Sequence, residues 1–435
     1  MRAPSILSAL ALTAMLSGAA LPDAAAATPS EQDPRYCPAS DSYQVGPCDS
    51  APLLPATPVG RQLGWLLPHL AEDAGNLTAG TIAAHTDPEL LRYLPADRIL
   101  AILQGTIAET GPLRFVGFNY PPRAEQAVAL VQGDGGVRAA VGLGVSAPAG
   151  LINLMEITLA PPTIVPNGRY SGWFDIGGRR LFLRCTGQGS PTVVFENGLT
   201  HDWYDIQNAV SPTTRACSYD PALQNAPFTR SDPAPTPRHA RVIVRDLDRL
   251  LGAAEVPGPY VLVGHSNGGL FSLLYASEHP DQVAGMVLVD PVHPDYHARD
   301  LAMLRDKIDP ATWAALAESA CVVLPAVLDT QRLDICRSEA QTRRALRHHP
   351  IRPMPLSMIS HGRPADGQYP PGWPVAAEEA LWRQLQNEIA ALVPGAHHVV
   401  AELSDHDIQH EQPQIVLAEI DRVVRAVRSG STAAA

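Results

Sequence analysis

A chain of 435 residues, 46% of them hydrophobic, can bury one large or two ordinary cores, which excludes a fibre and wholesale disorder. Its 32 basic and 44 acidic side chains leave a net charge of −12, so no overall basic field exists to hold a polyanion, and nucleic acid is not an expected partner. Lys307 is the only lysine and prolines number 42, a composition that stiffens connections and assigns no function.

The N-terminus carries the three parts of a secretory signal: Arg2, an apolar run from Ile6 to Leu21, and the small residues Ala24 to Ala27, so residues 1–27 are expected to be removed. The apolar run falls short of the roughly 20 residues a spanning helix needs, and no later segment replaces it, so no stable membrane span is expected. Export makes disulfides the natural use of six cysteines. Six cysteines allow fifteen pairings. Nearest-neighbour pairing joins Cys37 with Cys48, Cys185 with Cys217 and Cys321 with Cys336. With no C-x-x-C pair and no cysteine at ligand spacing from a histidine, neither a metal nor another cofactor is expected.

Residues 28–60 are rich in Pro, Ser, Asp and Ala and read as an arm tied by its own disulfide. Between Gln62 and Ile107, apolar residues at helical spacing predict two or three helices. The period then changes. Arg114–Phe118, Gln126–Gln132, Gly136–Leu143 and Ile152–Leu159 read as strands between Pro and Gly turns, so residues 61–165 form a small α+β domain. Its pattern resembles the cystatin-like or steroid-isomerase-like domain found ahead of some exported serine hydrolases and β-lactamase-like proteins. A structural or docking role is expected for it, because it holds no acid/base constellation.

From Tyr170 the pattern becomes α/β. A hairpin, Trp173–Ile176 with Arg180–Cys185, turns at Gly177-Gly178. Apolar runs follow at Thr192–Phe195, Ala216–Tyr219, Tyr260–Val263, Val283–Val289, Leu356–Ile359 and His398–Leu403, most of them alternating with amphipathic helices such as 240–254 and 376–392. This is the layout of a mostly parallel sheet covered by helices. The alternation stops over 291–350, where helical stretches near Cys321 and Cys336 predict a cap whose Trp313 and Leu324 shape a pocket.

Gly264-His265-Ser266-Asn267-Gly268 follows the strand 260–263 and precedes the helical stretch from Gly269. That is a nucleophile elbow in its required context: a turn too tight for side chains, with a strained serine whose hydroxyl is presented at a helix N-terminus. Together with Cys185-Thr186-Gly187, the run from Val193 to Gly198, the run from Pro257 to Ser266, the run Val287-Leu288-Val289-Asp290-Pro291 and a late histidine before Gln412-Pro413, the motif makes residues 168–430 resemble the α/β-hydrolase superfamily, in its exported, capped bacterial branch. Where such relatives read Tyr-Asp-Arg-Ala-Gly, this chain reads Tyr219-Asp220-Pro221-Ala222-Leu223, and Asn267 replaces the common Leu or Met. Both positions are expected to line the pocket.

The resemblance implies the chain order serine, acid, histidine, which selects His406, after the last strand, as the base. Two positions are open for the acid. Asp290 closes the strand 283–289, whereas after the strand 356–359 the usual offset falls on Pro364 and the nearest carboxylate is Asp366, two residues late; Asp290 is preferred. The fold implies the N–H groups of Asn267 and Leu199 as oxyanion donors. Glu196, just before that loop, reads as a loop anchor or a substrate contact. The resulting expectation is an exported serine hydrolase that cleaves small-molecule carboxylic esters through an acyl-enzyme intermediate. Amide or β-lactam hydrolysis, and a non-catalytic binding protein on the same scaffold, are the alternatives.

Overall fold

The computed structural model describes residues 54–71, 76–118, 122–134, 137–159, 170–199, 203–222, 229–323, 331–364, 369 and 372–430. The signal, Cys37, Cys48 and most of the arm lie outside these residues, as do Leu324 and Asp366.

Among the described residues the first unit holds four helices, α1 (Pro58–Ala71), α2 (Ala79–His85), α3 (Pro88–Tyr93) and α4 (Ala96–Thr110), where periodicity predicts two or three. The extra breaks have local causes. Thr78 and Thr81 close a capping box that starts α2, and Asp87 caps α3 through the N–H of Glu89 with Pro88 in its first turn. Strands β1 (Arg114–Phe118), β2 (Gln126–Gln132), β3 (Arg138–Val145) and β4 (Ile152–Leu159) form an antiparallel sheet in chain order. Leu63, Leu66 and Leu70 of α1 and Leu103 of α4 share a core with Ala127, Ala129 and Val131 of β2 and with Val141 and Leu143 of β3.

The second sheet contains β5 (Gly172–Asp175), β6 (Arg180–Thr186), β7 (Thr192–Glu196), β8 (Ala216–Tyr219), β9 (Tyr260–His265), β10 (Val283–Val289), β11 (Leu356–His361) and β12 (His397–Ala401), in the order β12-β11-β10-β9-β7-β8-β6-β5. The pairs from β12 to β8 are parallel; β6 runs antiparallel to β8 and to β5. Successive side chains of a strand point to opposite faces, so one strand feeds two cores. Val261 and Val263 of β9 join Val287 and Val289 in one core, which α13 (Pro413–Arg428) covers with Val416, Ile420, Val423 and Val424. Leu262, Met286 and Leu288 face the other core, with α6 (Ala240–Ala253) and α7 (Asn267–Glu278). Each fully buried Val or Leu contributes roughly 1.5–3 kcal/mol, so the central strands are the most firmly held part of the molecule.

Two of the expected disulfides are present, Cys185–Cys217 and Cys321–Cys336. The first joins directly registered residues of β6 and β8. Between β10 and β11 lie α8 (Tyr296–Leu304), α9 (Pro310–Ser319) and α10 (Ile335–His348). Of these, α10 packs on α6 and α7, and α8 packs against α11 (Val375–Ala390). Trp313 donates to the carbonyl of Leu301 (2.8 Å), stapling α9 to α8.

Candidate active site

Ser266 sits between β9 and α7 with φ 55° and ψ −123°, a backbone conformation that non-glycine residues rarely adopt and that is retained where the surroundings over-determine it. Its N–H donates to Val289 O (3.1 Å), and its carbonyl accepts from Val292 and Gly269 (both 3.0 Å). The flanking glycines are required by contact. A Cβ on Gly264 would lie 2.5 Å from Gly268 O, and one on Gly268 would lie 2.3 Å from Glu196 O. The serine is thus pinned to the strand end that leads into Asp290.

Asp290 is fully buried immediately beyond β10, with φ 45°. Four donors reach its carboxylate. His406 Nδ1 (2.6 Å) and His361 Nδ1 (2.7 Å) share Oδ2, while Trp382 Nε1 (2.8 Å) and the His361 N–H (3.2 Å) bond Oδ1. All four lone-pair directions of the carboxylate are therefore used. Burial opposes ionisation of Asp290, but the hydrogen bonds and charges of the two histidines outweigh it and hold the carboxyl well below the usual range. The ligand-capable atoms of Asp290, His361 and His406 lie within 4.8 Å of one another, and the Nδ1 atoms of both histidines stand at hydrogen-bond distance from one carboxylate oxygen.

With Nδ1–H on Asp290, the Nε2 lone pair of His406 is left to act as a base. Burial works against a proton on His406, but the bond and charge of Asp290, aided by Asp407, raise its pKa above the ordinary imidazole value. His265 holds the same residue from behind. Its Nε2–H donates to the His406 carbonyl (2.8 Å), and burial, with His406 beside it, pushes His265 down to about 3, so it stays neutral.

The loop after β7 runs along Ser266: a Cβ on Gly198 would lie 3.0 Å from Ser266 Cβ. Asn197 Nδ2 donates to Tyr219 O (3.2 Å), and Gln331, from the segment between β10 and β11, donates to Gly198 O (2.6 Å). Asn267 is buried in the first turn of α7, where backbone N–H groups lack intrahelical partners, and Leu199 is exposed. Glu196 is buried beneath the loop and accepts from Tyr219 OH (2.7 Å), which makes it an anchor. The run after β8 is likewise inward. Tyr219 and Ala222 are buried in the core and Asp220 clamps Arg230 through its backbone N–H (2.8 Å) and Nε (2.9 Å), while Leu223 lies outside the described residues.

Burial pushes Glu196 up to about 8, against the bond from Tyr219 and the charge of Arg238. An acid whose pKa is raised on folding contributes stability that is full below its unfolded pKa and is lost as pH rises through the folded value. Glu196→Gln cannot ionise. Its stability relative to the parent is expected to grow by roughly 1.4 kcal/mol per pH unit between about pH 5 and pH 8. Urea unfolding of both proteins across that range checks this; parallel stability curves would refute it.

Of the residues expected from sequence, Asp290 and His406 are bonded directly, and Ser266 is tied through Val289 to the same strand end. Histidines 397 and 398 are engaged elsewhere, with Glu419 and Ser360. Sequence reasoning missed His361, Trp382 and Glu379. His361 carried a readable signal: it closes β11, next to β10, just as Asp290 follows β10, and Val289 pairs with Ile359.

The family model described as the alpha/beta hydrolase fold matches residues 191–411, half of the chain, and the model of the N-terminal region of the ORF 12 gene product matches residues 54–152. Among curated proteins, the uncharacterized protein YqjL of Bacillus subtilis is 25% identical over 53% of this chain and 82% of its own length. An AB hydrolase superfamily protein of Gibberella zeae is 23% identical over 58% of this chain and 92% of its own. Four further relatives are matched over 15–18% of their length. Among solved structures, a thermophilic esterase from Thermogutta terrifontis is 18% identical, with a TM-score of 0.37, over 57% of this chain and 94% of that one.

Proposed function

The chain belongs to the α/β-hydrolase family, and we propose that it is an exported serine hydrolase that cleaves carboxylic esters through an acyl-enzyme intermediate. The observation that carries this reading is the 2.6 Å bond between His406 Nδ1 and Asp290, at a strand end tied to the elbow of Ser266. Asp290 fixes the tautomer, so His406 Nε2 accepts the Ser266 proton as the serine oxygen attacks the acyl carbon. The N–H groups of Asn267 and Leu199 receive the developing oxyanion. His406 then gives its proton to the leaving alkoxide, and water, activated by the same imidazole, releases the acid and frees Ser266.

In this reading residues 1–27 are a signal, 61–165 a separate α+β unit and 168–430 the hydrolase, with 291–350 as its cap. The two disulfides fit an oxidising compartment. Among the described residues no helix is long and apolar enough to cross a membrane.

A fluorophosphonate probe applied to the folded mature protein is expected to modify Ser266, read by peptide mass spectrometry, and short p-nitrophenyl esters are expected to be hydrolysed. Absence of an adduct would leave a binding protein. Faster turnover of a chromogenic β-lactam than of any ester would move the substrate class to amides.

A further inference from the structure

We infer that His361 is a positioning residue, a second imidazole clamped between two carboxylates that shares Asp290 Oδ2 with His406 and so weakens the hold of Asp290 on the His406 proton. The inference rests on the reading of Ser266, Asp290 and His406 given above, and it concerns how that site is tuned.

His361 Nδ1 meets Asp290 Oδ2 at 2.7 Å, and His361 Nε2 meets Glu379 Oε2 at 3.0 Å. Carboxylate oxygens accept and do not donate when ionised, so an imidazole with one at each nitrogen carries both protons. Glu379 is itself turned toward donors, with Tyr369 OH on its other oxygen (3.4 Å). His406 has one carboxylate partner for its ring. Of the two histidines on Asp290, His361 is therefore the resident cation and His406 the one free to lose and regain a proton. In agreement, burial disfavours the charged form of His361, yet Asp290 and Glu379 carry it up to about 10. His361 also acts on His406 in the opposite sense to Asp290.

The groups facing this pair come from every neighbouring element. Around His361 they are Asp290 after β10 and Glu379 on α11, with Tyr369 behind Glu379. Around His406 they are Asp290, His361, Asp407 and the neutral His265 of β9. On β12, His398 faces Ser360; Glu419 and Arg422 of α13 bond Ser357, at the opposite end of β11. Asp300 and Glu378, between α8 and α11, interact with each other. Among the described residues, the only cation that acts on His406 through Asp290 is thus His361. A permanent positive charge there lowers the pKa of the base, which keeps His406 unprotonated and competent at more acidic pH.

His361→Asn keeps an amide N–H where Nδ1 stood and removes the charge. The acid limb of its kcat/KM profile on an activated ester is expected to move upward by about one pH unit, so that on the acid side of the limb kcat/KM falls roughly tenfold further below its own plateau than in the parent. A limb that stays in place, or moves down, would show that His361 only supports the fold. Nitrogen-15 NMR of the parent protein, labelled in its histidines, supplies a test that needs no variant and no turnover. The His361 ring is expected to carry protons on both nitrogens at pH 8, and a neutral ring there overturns the inference. Failure of the hydrolase reading would be seen separately, as an unlabelled Ser266 and no ester cleavage. The NMR titration of His406 in parent and variant would still decide the role of His361.

Discussion

Ser266→Ala is expected to reduce kcat on an activated ester by about five to six orders of magnitude, the scale on which removal of a catalytic serine acts in a serine protease. The effect is large because, in the proposed mechanism, the remaining groups act through the serine. Without Oγ, His406 has no proton to accept at the acyl carbon, and Asp290 orients an imidazole with nothing to activate. A residue of catalysis, about 10³-fold above water, is expected to survive from substrate binding and from backbone donors beside the elbow. Folding is expected to be unaffected, since the contacts that pin residue 266 run through its backbone N–H and carbonyl. Steady-state rates with the parent and the variant, each assayed with fresh protein and checked for loss of fluorophosphonate labelling, measure this. Retention of more than about 1% of parental turnover would mean that another nucleophile does the chemistry.

The fold was legible where one physical signal dominates. Short continuous apolar runs located the parallel strands of the larger sheet to within a few residues, because β9 and its neighbours are buried on both faces and tolerate little else. Helix breaks in the first unit were less visible, since they depend on single capping side chains such as Thr78 and Asp87. The placement of α10 against α6 and α7 could not be read from its own sequence: its buried face is made of Ser338, Glu339, Thr342 and Ala345, which carry almost no apolar stripe.

The site divides in the same way. The elbow is a local device, written in five consecutive residues, and so it was legible. The acid was legible only as a preference for Asp290, because two strand ends offered a carboxylate at different offsets. In the reading proposed above, what favours Asp290 is tertiary: parallel pairing of β10 with β11 sets Asp290 beside His361, and α11 brings Trp382 onto Asp290 and Glu379 onto His361. None of these partners is near Asp290 in the chain, and each belongs to a residue type with a commoner structural use. A carboxylate with four donors is thus a product of four segments meeting, the end of β10, β11, α11 and the stretch after β12, which no single segment announces.

Asp290→Asn follows from that environment. The substitution preserves shape but removes the charge that stabilises the His406 imidazolium, and an amide facing Nδ1 can favour the wrong tautomer, with Nε2 protonated and unable to act as a base. In a serine protease the same exchange lowers kcat by about 10⁴-fold, and a loss of that order is expected here on an activated ester. The variant is also expected to lose stability, because charge-assisted bonds from His361 and His406 become bonds to a neutral group; such bonds contribute about 1.5–3 kcal/mol each, part of which Glu379 retains through His361. Thermal unfolding separates this from the catalytic effect, which is to be measured well below the midpoint, where both proteins are folded. Asp366→Asn, at the alternative acid position, is expected to leave kcat within about threefold of the parent, since the four donors to Asp290 come from other residues. If Asp366→Asn is the crippled variant, the acid lies after β11 and Asp290 serves only to pair the two histidines. Small, equal losses would mean that the backbone clamp of His265 on His406, and not a carboxylate, does most of the orienting.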